Sequence, residues 1–298
     1  MKSILRMTAL GLGLAIAAVA NPLGSGAAKA EDAIRLAVTD IEGLEGLQRE
    51  FGAFRDVLAE KTGLSFKFFP VANRTAAAEA LKAEKVDMVL TGPAEYVVIR
   101  KKTDAKAVVG FSRPDYFADV IVLADSGIDS VMDLKGKKVA LGSVGSTSKH
   151  LAPMQLIADG GLSRGDIQPM HVSIKVGFEA LKRGDVAAFA TTNDKFLKLR
   201  KNEAELAAGA FKVIARGRDL PNDVLMAARH MDEATVKKIR SVFVDHSDDL
   251  VAAILTGEDN KKYTGMKFLA GVKDSDYDYV RSMYATIGYP QFAEFVGN

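Results

Sequence analysis

Residues 142–156 read "GSVGSTSKHLAPMQL" and place three hydroxyl residues in a row, Ser146, Thr147 and Ser148, between a glycine-rich turn and an apolar run. A loop of this kind that opens a helix can hold an anion on its hydroxyls and backbone N–H groups. The same letters read Ser-x-x-Lys from Ser146 to Lys149, the nucleophile motif of penicillin-recognising serine enzymes. The segment therefore has two interpretations, an anion-binding loop or a catalytic nucleophile.

Strand and helix patterns alternate on both sides of this loop. Short apolar, β-branched runs predict a first series of strands at "IRLAVT", "SFKFFPV", "VDMVLTG" and "AVVGFS", and a second series at "KKVALGS", "QPMHVSI", "VAAFATT" and "FKVIARG". Helical spacing predicts helices at "LQREFGAFRDVLAEKTG", "TAAAEALKAE", from about Thr147, and at "FEALKRG" and "DKFLKLRKNEAELAAG". After "RDLPNDVLMAA" the pattern is helical, at "DEATVKKIRSVFVDHS", "DLVAAILTG" and "YDYVRSMYATIG". Alternation of this kind favours an α/β fold with parallel sheets.

The two series are joined by extended segments near residues 116–124 and 217–226, which predict two lobes with crossings between them. Each lobe is expected to hold a five-stranded or similar mixed sheet. Lobe one is predicted to span residues 32–119 plus 224–298, and lobe two residues 120–223. A cleft between two such lobes is the usual place for a small ligand.

The first thirty residues have the pattern of a signal peptide. Lys2 and Arg6 give a positive end, "TALGLGLAIAAVA" is an apolar run too short to span a membrane, and "AAKA" offers small residues for cleavage after Ala30. The mature chain is then expected to begin at Glu31, outside the cytoplasm and without membrane insertion. No cysteine is present to form a disulfide or carry a lipid.

Composition argues against several functional classes. A formal net charge of +2 lacks the basic excess typical of nucleic-acid binding. The four histidines have no metal-ligand spacing, so no metal or other cofactor is expected. The "KTG" at residues 61–63 precedes the Ser-x-x-Lys motif and ends a predicted helix, whereas in the serine enzymes it follows the nucleophile on a strand. An enzyme is therefore not expected.

The chain resembles the periplasmic phosphonate-, phosphite- and phosphate-binding proteins of ABC importers, which have the type II periplasmic-binding-protein fold. The resemblance rests on "KVDMVLTGPAEYV", "RPDYFADVIVLADSGIDSVMDLKGKKVALG", "STSKHLAP" and "GDVAAFATTNDKFLKL", in that order. It implies a periplasmic, monomeric protein that captures a small tetrahedral oxyanion and delivers it to an inner-membrane ABC permease. A binding module that serves a membrane sensor has the same fold and remains an alternative, as does a binder of another small anion.

The resemblance also implies the site residues. The hydroxyls of residues 146–148 match the family's oxyanion loop, and Tyr116 matches a ligand-facing tyrosine before the first crossing strand. Asp194 falls where the family has a glutamate, and Asp223 matches an aspartate at the return crossing. Two positions depart from the family. Where the family has a tyrosine after the second strand, this chain has Arg74 or a neighbour of it. The family's histidine falls near Ile174, where this chain has no histidine, and Arg74 or His171 is the candidate to replace it.

Aspartates suit an anion site only if the ligand itself carries a proton or a positively charged group. A phosphate or phosphonate carries an O–H at neutral pH, and an ionised carboxylate only accepts hydrogen bonds. Asp194 and Asp223 are therefore expected to select a protonated oxyanion over sulfate, or to bind the ammonium of an aminoalkylphosphonate. The alternative is that both cap a helix or a turn.

Overall fold

The computed structural model describes residues 33–39, 41–73, 76–203, 206–207 and 209–293. The strands of this part of the chain are β1 (Ile34–Val38), β2 (Phe66–Phe68), β3 (Met88–Thr91), β4 (Lys106–Phe111), β5 (Ala118–Leu123), β6 (Lys138–Leu141), β7 (Gln168–His171), β8 (Ala188–Thr192), β9 (Phe211–Arg216), β10 (Asp223–Ala227) and β11 (Phe268–Leu269). The α-helices are α1 (Gly43–Thr62), α2 (Ala76–Lys82), α3 (Pro93–Thr103), α4 (Ala152–Asp159), α5 (Ile174–Lys182), α6 (Asn193–Lys201), α7 (Glu233–Asp245), α8 (Ser247–Ile254) and α9 (Asp278–Thr286). Short 3₁₀ turns lie at Val131–Leu134, Arg164–Asp166, Asp259–Tyr263, Asp274–Tyr277 and Pro290–Phe292, and a π-type turn at Thr147–Leu151.

The strands form two mixed sheets. The first has six strands in the order β11-β4-β10-β3-β1-β2, and the second has five in the order β7-β6-β8-β5-β9. In the first sheet β1 pairs in parallel with β2 and β3, and β10 enters antiparallel between β3 and β4. In the second, β6 pairs in parallel with β7 and β8, and β5 is antiparallel to β8 and β9. The predicted α/β fold with two lobes is confirmed.

Two segments carry the chain between the sheets and lie side by side. The outward segment, residues 112–117, joins β4 to β5, and the return segment, residues 217–222, joins β9 to β10. On the return segment, the backbone N–H of Leu220 donates to the carbonyl of Tyr116 on the outward segment, and that of Gly217 to the carbonyl of Ala118 at the start of β5, both at 2.8 Å. The Asn222 side chain accepts the backbone N–H of Arg113 at 2.9 Å. The crossings thus form one hydrogen-bonded connection beside the cleft.

The apolar interior of the described residues consists of three clusters. On one face of the first sheet, an aromatic cluster that includes Phe54, Phe111 and Phe243 packs α1, α7 and α8 onto the strands. The cluster on its other face continues into the second lobe. There α9 packs against both α3 and α4, so this C-terminal helix contacts both lobes. The limits of the lobes at residues 119 and 223 stay a prediction.

The structure corrects the predicted elements in three places. Helix α3 and strand β11 were not predicted. The helix predicted through "DKFLKLRKNEAELAAG" ends at Lys201, so α6 covers only its first half. Within the described residues, no helix combines the length and the hydropathy needed to cross a membrane.

Candidate ligand site

A cavity of about 210 Å³ lies where residues of both lobes meet. Its walls include the end of β3 and the start of α3, the turn before α4, the outward crossing segment, the start of β10, the start of α6 and the 3₁₀ turn Asp259–Tyr263. It is lined by Val38, Thr39, Ile41, Phe51, Leu90, Thr91, Gly92, Glu95, Arg113, Tyr116, Ser146, Thr147, Ser148, Lys149, Ile174, Thr192, Lys195, Asp223, Asp259, Asn260, Lys262 and Tyr263.

The predicted anion loop lies on one wall of the cavity. Ser146, Thr147 and Ser148 are all buried against the protein, at 3–4 % exposure, yet line the cavity. Ser146 has extended backbone and its carbonyl accepts two N–H groups, from His150 and Leu151, both at 3.0 Å. Because the first N–H groups of a helix have no partner within the helix, they are available to an anion at this end.

The helix predicted from Thr147 starts instead with a π-type turn, and α4 begins at Ala152. Pro153 explains the difference. It has no N–H to give to the carbonyl of Lys149, four residues earlier, and that carbonyl accepts the N–H of Gly142 at 2.8 Å. The hydrogen bond closes the loop on itself and sets the position of its hydroxyls.

The start of α3 faces this loop from the other lobe. The Thr147 hydroxyl oxygen accepts the backbone N–H of Ala94 at 2.9 Å, and the Ala94 carbonyl accepts the Tyr284 hydroxyl at 3.0 Å. Gly92 precedes α3, and a Cβ placed on it would lie 2.9 Å from Oε2 of the buried Glu95. Two helix starts thus meet at the cavity, and both favour negative charge.

A charged cluster forms the wall at the crossings. Asp223 begins β10 and is buried. Its Oδ2 accepts the Tyr263 hydroxyl at 2.5 Å, and its Oδ1 lies 3.6 Å from a guanidinium nitrogen of Arg113. The Arg113 guanidinium lies 3.5 Å over the ring of Tyr116. The structure thus brings the predicted Tyr116 and Asp223 together, through an arginine that was not predicted.

Arg113 remains charged in this wall although its side chain is only 11 % exposed. Burial by itself lowers the pKa of the guanidinium, but Tyr116, Asp223 and Tyr263 outweigh it, and the net pKa is raised. A cationic group with planar donors, fixed over an aromatic ring, is suited to bidentate binding of an oxyanion. The only sign of it in the sequence is its place at the start of "RPDYFADV", beside a proline and before the predicted crossing.

Two other predicted residues do not line the cavity, and a third lies outside the described residues. Asp194 lies in the first turn of α6, between the lining residues Thr192 and Lys195, but does not itself line the cavity. His171 ends β7, where its Nδ1 lies 2.8 Å from the Gly142 carbonyl oxygen. Arg74 lies outside the described residues. Ile174, where the family histidine falls, does line the cavity.

His150 supports the loop from behind. Its Nδ1 accepts the N–H of Gly145 at 3.1 Å, which requires the ring to be neutral at that nitrogen, and its ring packs edge-on against His171 at 4.7 Å. Burial, helped by His171 and Arg164, lowers the pKa of His150 to about 4.

Asp119 is buried on β5 next to the crossing, and its pKa is shifted in the opposite direction. Burial, opposed by Arg216, raises the pKa of Asp119 to about 6.

These two groups predict opposite pH dependences of stability over nearly the same range. Between pH 6.5 and about 4 the unfolded chain binds a proton at His150 that the folded chain does not, so this term lowers the free energy of unfolding as pH falls. Between about pH 4 and 6 the folded chain keeps a proton at Asp119, so that term lowers the free energy of unfolding as pH rises. At about 1.4 kcal/mol per pKa unit, each term amounts to at most about 3 kcal/mol.

Urea unfolding at pH 4.5 and 7 separates the two terms through single variants. His150→Asn keeps an acceptor for the Gly145 N–H but has no titratable group. Its stability relative to the parent should therefore be higher at pH 4.5 than at pH 7. Asp119→Asn should show the reverse. If the unfolding free energy of either variant differs from that of the parent by the same amount at both pH values, the pKa shift of that group is contradicted.

A larger groove of about 690 Å³ lies elsewhere, between α7 and the edge formed by β4 and β10. Its lining mixes apolar side chains with charges of both signs, including the basic Lys106 and Arg229 and the acidic Glu233 and Asp245. It has no hydroxyl loop, and the helix start that lines it, that of α7, carries the acidic Glu233, so its size alone does not make it the better anion site. Among the described residues, no cluster of three or more His, Asp or Glu side chains is arranged to hold a metal ion.

Comparison with known proteins identifies the family and the fold of this chain. The family model described as "ABC transporter, phosphonate, periplasmic substrate-binding protein" matches residues 37–277. The phosphate-import protein PhnD of Mycolicibacterium smegmatis is 24 % identical over 233 residues, which cover 73 % of each chain.

Two solved structures show the same fold. PhnD1 of Prochlorococcus marinus, in complex with methylphosphonate, superposes with a TM-score of 0.67 at 16 % identity, covering 86 % of this chain and 98 % of that one. The aliphatic sulphonate-binding protein SsuA of Escherichia coli superposes with a TM-score of 0.59 at 19 % identity, covering 86 % of this chain and 91 % of that one. Since the family model spans most of the sequence, the chain belongs to the periplasmic substrate-binding proteins of phosphonate ABC transporters.

Proposed function

We propose that this protein captures a phosphonate or phosphate in the cavity between its lobes and delivers it to an inner-membrane ABC permease. The observation that carries the proposal is the meeting of Ser146–Ser148 with the start of α3 and with Arg113 around one small cavity. A tetrahedral oxyanion loses strong hydration on burial, so each of its oxygens needs a donor. Hydroxyls, helix-start N–H groups and a guanidinium supply those donors.

The cavity volume supports a short side group on the ligand. A cavity of about 210 Å³ is smaller than the roughly 300–1,000 Å³ of pockets that hold drug-sized ligands. Its size therefore fits phosphate, phosphite and small alkylphosphonates.

Selection against sulfate is assigned to the buried carboxylate of Glu95. Glu95 and Asp223 both line the cavity near Gly92, whose added Cβ would lie 2.9 Å and 3.7 Å from their oxygens. Asp223 already faces Tyr263 and Arg113, whereas Oε2 of Glu95 makes no hydrogen bond to the described residues. A carboxylate there accepts the O–H of a monoprotonated phosphoryl group but repels a fully ionised sulfate. Glu95 is a candidate that the sequence did not suggest, and it takes the role expected of Asp194, which does not line the cavity.

The remaining features of the proposal follow from the sequence pattern and the family. The leader is removed after Ala30, and the mature chain works in the periplasm as a monomer. Closure of the lobes over the ligand is the state that the permease recognises. A role in import is favoured over a role in sensing, because the matching family is described as a transporter component.

A thermal-shift screen tests the ligand class. The mature protein is heated with phosphate, phosphite, methylphosphonate, sulfate or an aliphatic sulphonate, each over a range of concentrations. A ligand at 100 times its dissociation constant stabilises the folded state by about 2.7 kcal/mol. We expect that stabilisation from at least one phosphorus oxyanion and none from sulfate. Stabilisation by the sulphonate alone would contradict the proposal.

A further inference from the structure

The carboxylate of Asp223 is already surrounded by cationic and donor groups of the protein. Tyr263 donates its hydroxyl to Oδ2, and the ammonium of Lys262 lies 4.0 Å from the same oxygen. The Arg113 guanidinium lies 3.6 Å from Oδ1. The Asp223 side chain is 5 % exposed, and those of Arg113 and Lys262 are 11 % and 17 % exposed. Two poorly hydrated cations therefore face one carboxylate in the wall of the cavity.

Lys195 adds a further positive charge to the lining. It lies in the first turn of α6, is partly buried, and forms no ion pair with any described residue. The other buried carboxylate of the cavity, Glu95, has contacts within the protein, but its buried Oε2 makes no hydrogen bond to the described residues. The proposed function assigns that oxygen to the O–H of the oxyanion, so neither carboxylate is left as the counterion of a positive side group.

The Arg113 side chain is held in place and still has donors to give. It stacks on Tyr116, and its backbone N–H is held by Asn222. None of its guanidinium N–H groups makes a hydrogen bond to a described side chain or carbonyl, and the contact to Asp223, at 3.6 Å, is longer than a hydrogen bond. A guanidinium carries five N–H donors, so it can hold Asp223 electrostatically and donate to an anionic ligand as well.

We propose that the cavity selects phosphonates and phosphates whose side group carries no positive charge, and that Arg113 sets this selectivity. The inference rests on the proposed function and names its ligand class. An ammonium in so small a cavity would lie within a few ångströms of Arg113, Lys195 or Lys262, and like charges at that separation repel strongly where water is scarce. The carboxylate that would hold an ammonium is already neutralised by Arg113 and Lys262.

Titration calorimetry with methylphosphonate and 2-aminoethylphosphonate tests the proposal on the parent, Arg113→Met and Arg218→Met. Arg218 is the matched control, because it stacks on Tyr279 at 4.1 Å and does not line the cavity. The parent and the Arg218→Met variant should bind methylphosphonate at least tenfold more tightly than the amino compound. Arg113→Met should bind methylphosphonate at least tenfold more weakly than the parent, with 2-aminoethylphosphonate affinity unchanged or increased.

A parent that binds 2-aminoethylphosphonate as tightly as methylphosphonate overturns the inference, and so does an equal loss of both ligands in Arg113→Met. If that variant does not fold, Arg113→Lys replaces it. This variant keeps the charge but not the planar donors, so it should still discriminate against the amino compound while binding methylphosphonate more weakly, and unchanged methylphosphonate affinity would overturn the role of Arg113. Binding of no phosphorus oxyanion at all contradicts the proposed function itself, which separates the two failures.

Discussion

Thr147→Val is expected to weaken methylphosphonate binding by about 1–3 kcal/mol, or roughly 5- to 150-fold. The Thr147 oxygen accepts the N–H of Ala94 across the cleft, while its own O–H stays free to donate to a ligand oxygen. Valine keeps the shape but removes both functions. The ligand oxygen then loses a donor, and the buried N–H of Ala94 loses its acceptor, so closure of the lobes is weakened together with ligand contact.

Thr103→Val is the matched control for this experiment. Thr103 is also a buried threonine whose oxygen accepts an alanine N–H, that of Ala105 at 3.3 Å, but it lies at the far end of α3. Both variants should lose unfolding free energy, measured in urea without ligand. Only Thr147→Val should lose affinity in calorimetry. Equal affinities of the two variants would make residues 146–148 an ordinary helix start rather than a ligand site.

Gly142→Ala is expected to affect stability and binding together. A Cβ on Gly142 would lie 2.5 Å from Cβ of Lys149, which is fixed to the backbone and has no freedom to move aside. The contact would push apart the hydrogen bond from Gly142 N–H to the Lys149 carbonyl that closes the anion loop. Overpacking of this kind costs about 1–3 kcal/mol of unfolding free energy. Displaced hydroxyls should reduce methylphosphonate affinity at least as much as loss of one hydrogen bond, about tenfold.

Gly165→Ala supplies the comparison, because a Cβ at Gly165 meets no atom within 4 Å. It should match the parent in urea unfolding and in calorimetry. If Gly142→Ala also matches the parent in both, the loop is adaptable and its hydroxyls are not fixed by this closure.

The sequence predicted the fold wherever the local pattern was clear. Strands such as β3 and β8 are short apolar runs, and the order of strands and helices was enough to predict two lobes. Helix α3 was missed because its first seven residues are all buried, so the apolar positions do not repeat with a helical period. For α6 the helical spacing continues past Lys201, but the helix itself does not.

The site was predictable only where local sequence carries the chemistry. Three adjacent hydroxyls before a helix indicate the anion loop, and the structure places them on the cavity wall. Arg113 was not predicted, because a single arginine before a proline has no local signal and its partner Asp223 is brought to it by the return crossing. Asp194 was transferred by position along the chain, but the turn of α6 directs Lys195 to the cavity instead.

The most direct test of the oxyanion site is to map the bound ligand onto the backbone. Amide ¹H–¹⁵N spectra of the mature protein, labelled and assigned, are recorded during titration with methylphosphonate and, separately, sulfate. We predict that methylphosphonate shifts the amides of residues 146–151 and of Gly92, Ala94 and Glu95 most, with saturation, and that sulfate at equal concentration leaves them in place. Shifts confined to the groove beside α7, or no shifts with any phosphorus oxyanion, would contradict the assignment of this cavity as the ligand site.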